Sequence, residues 1–79
     1  MISYSPQSFD FYVYEAASLL TSDIEAYEWT HKKDLIRRVA THLRTSYATS
    51  MAVVSDLHEL GLLEANNGRY RVKPGSVFI

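Results

Sequence analysis

The side chains with chemistry to offer in this sequence are three histidines, one Ser-Asp-x-His cluster, a run of hydroxyls and eight basic residues. His31, His42 and His58 lie at three different predicted positions and form neither an i, i+4 pair nor an HEXXH motif, so the spacing of a helical zinc site is missing. Ser55, Asp56 and His58 have the identities of a hydrolytic triad. At positions i, i+1 and i+3 of one helix they cannot reach triad geometry. There is no Gly-rich phosphate loop, and without cysteine there is neither a thiol nucleophile nor a thiolate metal site. No catalytic residue, metal ligand or cofactor is expected, and the chain is not read as an enzyme. What remains is charge.

That charge is unevenly distributed. Residues 1–31 hold Asp10, Glu15, Asp23, Glu25 and Glu28 and no Lys or Arg, a charge of −5. Residues 32–79 hold Lys32, Lys33, Arg37, Arg38, Arg44, Arg69, Arg71 and Lys73 against Asp34, Asp56, Glu59 and Glu64, a charge of +4. The overall −1 therefore conceals an acidic part and a basic part. Only the basic part suits a polyanion.

The elements that must position these groups belong to one domain, since a chain of 79 residues buries only about 60% of its unfolded surface and has no room for a two-domain enzyme. An apolar fraction of 47% with three Gly and two Pro argues for a folded chain over a low-complexity one. The absence of cysteine removes any disulfide framework. The start of the chain has no basic signal region and no apolar run approaches the roughly 18 residues of a spanning helix, so a cytoplasmic protein is expected.

Ser5-Pro6 reads as an N-cap followed by a proline at the first helical position. Phe9, Tyr12, Val13, Ala16, Ala17, Leu19 and Leu20 then keep helical spacing, which predicts a first helix over 6–20. A strand through Phe9–Tyr14 is the weaker alternative, because only the helical period continues to Leu20. Thr21-Ser22-Asp23 ends the helix, and Ala26–Trp29 reads as a short extended segment with Trp29 as a buried anchor or, less simply, a base-stacking platform. Thr30 is the expected cap of a second helix over 31–43, apolar at Leu35, Ile36, Val39, Ala40 and Leu43 and basic outside that stripe.

Arg44-Thr45-Ser46 leaves space only for a tight turn before a third helix over 46–60, with Val53, Val54, Leu57 and Leu60 facing the core. Two helices so joined form a helix-turn-helix. Gly61 stands where a left-handed C-cap is wanted. Residues 62–73 read as strand, Asn-Gly primed turn and strand, with Arg69, Arg71 and Lys73 on one face and Tyr70 and Val72 on the other. The tail Val77-Phe78-Ile79 is apolar and fits a packed end, a docking strip or a short strand.

The stretch Lys32 to Gly75 resembles the winged helix-turn-helix family of DNA-binding domains, most tellingly in Leu57-His58-Glu59-Leu60-Gly61-Leu62-Leu63 followed by Gly68-Arg69-Tyr70-Arg71-Val72. The fold it implies is α+β and mostly helical, three helices and a C-terminal hairpin wing in a single domain over 1–79. The resemblance implies that the third helix lies in a major groove of double-stranded DNA, with Thr45, Ser46, Tyr47, Thr49 and Ser50 nearest the bases and Arg44 contributing from the turn. These are hydroxyls and one aromatic, without the bidentate reach of Arg, Asn or Gln. Arg69, Arg71 and Lys73 would meet phosphates or the minor groove, and Lys32, Lys33, Arg37 and Arg38 the flanking backbone.

A monomer neutralising about four phosphates would bind with a log–log salt slope near −3.6 and weakly at physiological salt. Useful affinity then calls for a homodimer. Phe11 and Tyr14, left over from the inward stripe of the first helix, are the expected interface. The functional expectation is a small transcriptional regulator or accessory DNA-binding factor. Its alternative is a winged helix that docks a protein partner through the first helix, the acidic third or the tail.

Overall fold

The computed structural model describes residues 9–75. Helix α1 spans Phe9–Thr21, a 3-10 turn Ile24–Tyr27, strand β1 Thr30–His31, helix α2 Lys32–Leu43, helix α3 Tyr47–Glu59, and strands β2 and β3 Leu63–Asn66 and Arg69–Val72. The architecture is three helices followed by an antiparallel hairpin, mostly helical α+β, as expected. β1 adds to the hairpin to give a three-stranded sheet in the order β1-β3-β2. This layout is compatible with a winged helix. The Ser5-Pro6 cap, the start of the first helix before Phe9 and the Val77-Phe78-Ile79 tail lie outside the described residues.

Each helix contributes one apolar stripe to a shared core. Ala16, Ala17 and Leu20 come from α1, Leu35, Ile36 and Val39 from α2, and Val53, Val54 and Leu57 from α3. Leu62, Leu63 and Val72 close the core from the hairpin. Side chains of this size stabilise by roughly 1.5–3 kcal/mol each when fully buried. Small residues on α1 let it approach α3 closely. Ala40 and Leu43 are only half-buried, because α2 is already leaving the core at its last turn.

Local signals decide the helix ends. Ser46 Oγ accepts the Thr49 N–H at 3.1 Å and so caps α3. At the other end Gly61 has φ +86, its N–H donates to the His58 carbonyl, and the Leu62 N–H reaches back to the Leu57 carbonyl. That is the Schellman pattern, in which the residue after the glycine packs on the last helical turn. Leu62 is accordingly buried. Leu60, expected in the core, is 67% exposed, because the helix stops before the stripe reaches it.

Four further expectations are corrected. The segment before α2 is extended only from Glu28, not over all of Ala26–Trp29: Ile24–Tyr27 form a 3-10 turn opened by Asp23, whose Oδ1 accepts the Glu25 N–H at 3.0 Å. Thr30 does not cap α2, since it belongs to β1 and its hydroxyl donates to the Glu28 carbonyl. His31 occupies the cap position without a side-chain bond. Trp29 is not a buried anchor; it is 36% exposed, and Ala26 fills the core position near it. Phe9 is likewise exposed, one turn ahead of the first buried position at Val13.

Candidate nucleic-acid interface

Of the basic residues, Lys32, Lys33 and Arg69 lie at the start of α2 and Arg44 at its end, while Arg37 and Arg38 stand in its middle and Arg71 and Lys73 along and just after β3. At the start of α2, the Lys32 N–H donates to the Gly68 carbonyl at 3.0 Å, so the orphan N–H of a helix terminus is satisfied by the wing turn. The turn itself is of the primed kind, with Asn67 at φ 51 and Gly68 at φ 78. β1 pairs His31 with Arg69 alongside. Lys32, Lys33 and Arg69 are thereby gathered on one frame. Lys32 Nζ also lies 5.9 Å from the Tyr70 ring centroid, on which His58 of α3 packs edge-on at 5.4 Å.

At the far end of α2, Arg44 forms the turn in the left-handed conformation, φ 55 and ψ 46, with its N–H bonded to the Ala40 carbonyl. Thr45, Ser46, Tyr47 and Thr49 follow. The Ser46 hydroxyl also donates to Thr49 Oγ1 at 3.0 Å, so these two hydroxyls are engaged with each other. Ser50 is placed differently from its expected role: it is fully buried, and its hydroxyl has no hydrogen-bond partner among the described residues. Twelve residues of α2 separate its two ends by about 18 Å along its axis.

Several cations are occupied internally. Arg38 pairs with Asp23, which ties the acidic third of the chain to the outer side of α2. Arg37 lies 4.0 Å from Asp34 on the exposed surface, a contact that contributes little. Arg71, expected to face phosphates, instead covers the Trp29 ring at 4.5 Å from its centroid, with its Nε 3.3 Å from Glu64 Oε2. That Nε is buried and makes no aligned hydrogen bond, so the Glu64 contact is electrostatic. Among the described residues Lys32, Lys33, Arg44, Arg69 and Lys73 form no ion pair. These five, together with the exposed Arg37, are the cations a polyanion could meet.

The expected interface on α1 is partly laid out. Tyr14 is 51% exposed, Phe11 is half-buried against Tyr12, and Asp10, Phe11, Tyr14 and Glu15 surround a cleft of about 230 Å³. Sequence reasoning missed the sheet face formed by Trp29, Arg71 and Glu64. Its one signal was the Arg-x-Arg alternation in β3, which sets Arg71 on the outer face but does not say what it covers. Among the described residues no three His, Asp or Glu gather as metal ligands, and no helix is long and apolar enough to cross a membrane. Comparison of the chain with protein-family models, with curated proteins and with solved structures finds no match.

Proposed function

We propose that this chain binds double-stranded DNA as a small transcriptional regulator or accessory factor, gripping the phosphate backbone more than it reads bases. The observation that carries this reading is the Lys32 N–H bond to the Gly68 carbonyl, which fastens the wing turn to the start of α2. Lys32, Lys33 and Arg69 then act as one cationic end with little ordering left to do on binding. Arg44 and the start of α3 supply a second contact about 18 Å away, a span of about five base pairs at 3.4 Å each. α3 carries no Lys or Arg, so its insertion in a major groove would give sequence-tolerant hydroxyl contacts. Phosphate contacts position a protein without specifying a sequence. A homodimer through Phe11 and Tyr14 would double the contacts.

Fluorescence anisotropy of a labelled generic duplex tests this. With about four phosphates neutralised, affinity should fall about 150-fold between about 50 and 200 mM salt. No binding at the lower salt, or an affinity that salt leaves unchanged, overturns the reading. A second reading is favoured by one observation: Tyr47 and Met51, one turn apart on α3, are 41% and 42% exposed on a helix without Lys or Arg. That face suits a protein partner. It becomes the leading reading if the duplex fails to bind.

A further inference from the structure

We infer that the cleft between Trp29 and the end of the β2–β3 hairpin holds an unpaired nucleobase with its adjoining phosphate. This rests on the nucleic-acid reading above but adds a ligand that duplex binding does not require. The β1–β3 register, Thr30 opposite Tyr70 and His31 opposite Arg69, runs on to set Trp29 beside Arg71 on the outer face of the sheet. One face of the indole is covered by the Arg71 guanidinium at 4.5 Å, itself held against Glu64. The ring is 36% exposed, and it borders a cleft of about 420 Å³ whose other walls are Asn66, Asn67 and Arg69.

The lining matches a nucleotide group by group. An aromatic plane backed by a cation offers stacking to any base, because every base has a π-face. The two carboxamides carry both donors and acceptors, which suits the edge of an unpaired base. Arg69 has no ion-pair partner among the described residues and supplies charge for a phosphate. The volume lies within the roughly 300–1,000 Å³ of ligand clefts. A base inside a duplex has both faces covered by its neighbours, so the cleft selects a single strand, an overhang or a frayed end. The walls are fixed, since the hairpin turn is a primed Asn67-Gly68 pair bonded to the start of α2.

Trp29 is the only tryptophan of the chain, so its fluorescence reports the cleft directly. The experiment titrates the full chain with a blunt duplex, the same duplex carrying a short oligothymidine overhang, oligodeoxythymidylate and oligouridylate. Anisotropy reads affinity and Trp29 emission reads stacking. The overhang should bind about 5- to 100-fold tighter than the blunt duplex and quench Trp29, while the blunt duplex binds without quenching. The two single strands distinguish DNA from RNA as the source of the base. Asn66→Ala, at an exposed position, should lower the overhang's advantage and leave blunt-duplex affinity unchanged. Equal affinity for blunt and overhang duplexes with unquenched Trp29 overturns the inference while duplex binding stands. Quenching by the single strands with no binding of the blunt duplex sustains the cleft and overturns the duplex reading. No binding of any probe overturns both.

Discussion

Arg44 sits in the left-handed region, where a side chain other than Gly or Asn costs roughly 1–2 kcal/mol. A glycine would fit that backbone at no steric cost, though it would lose roughly 0.5–1 kcal/mol through the extra freedom of the unfolded chain. Arg44→Gly should therefore leave stability unchanged or raise it by up to about 1.5 kcal/mol in urea denaturation, yet weaken duplex binding and make the salt slope shallower by about 0.9. Unchanged affinity would remove Arg44 from the interface. Ser50 calls for the opposite outcome. Its hydroxyl is buried without a partner, and an unsatisfied group of this kind costs about 1–3 kcal/mol. Ser50→Ala should raise stability by about 1 kcal/mol with duplex affinity unchanged, and a loss of affinity would show that the residue reaches a ligand after all.

Among the elements, the hairpin turn has the clearest leverage on binding. Gly68 has φ 78 and open space where a Cβ would stand, so Gly68→Ala carries only the backbone cost, about 1–2 kcal/mol by thermal or urea denaturation. Because the same turn positions Arg69 and accepts from Lys32, duplex affinity should fall as well; intact affinity would uncouple the turn from the interface. The features legible in the sequence were local ones. Ser46, expected as the first residue of the third helix, is instead its cap, but Gly61 and Asn67-Gly68 each specify a backbone conformation within a few residues, and each was readable for that reason. β1 was not, because a two-residue strand exists only through its pairing with β3, some 40 positions away. Without β1, the local sequence points to Thr30 as a cap and Trp29 as a core residue, whereas the register sets Trp29 on the outer face beside Arg71. Leu60 went astray differently: its helical period was right, but the helix ends one residue too soon.

At the scale of the molecule, the division into −5 and +4 shows only part of the electrostatics. Folding joins the two parts through Arg38 and Asp23, fifteen positions apart, and lays Arg71 over Trp29 and beside Glu64 on the outer face of the sheet. Pairing across such distances leaves no mark on sequence spacing. What survives for a polyanion is the exposed Arg37 and five cations without an ion pair among the described residues, three of these five collected where the wing turn meets α2. A duplex bound there should be held mainly by counterion release, and that is measurable as a slope. The most direct test is the dependence of log affinity on log salt for the unmodified chain and for Lys32→Ala, Lys33→Ala, Arg69→Ala combined. Binding through about four phosphates predicts a slope near −3.6 for the former and about −0.9 for the latter. A slope that the three substitutions leave unchanged would contradict the placement of the interface at this end of the fold.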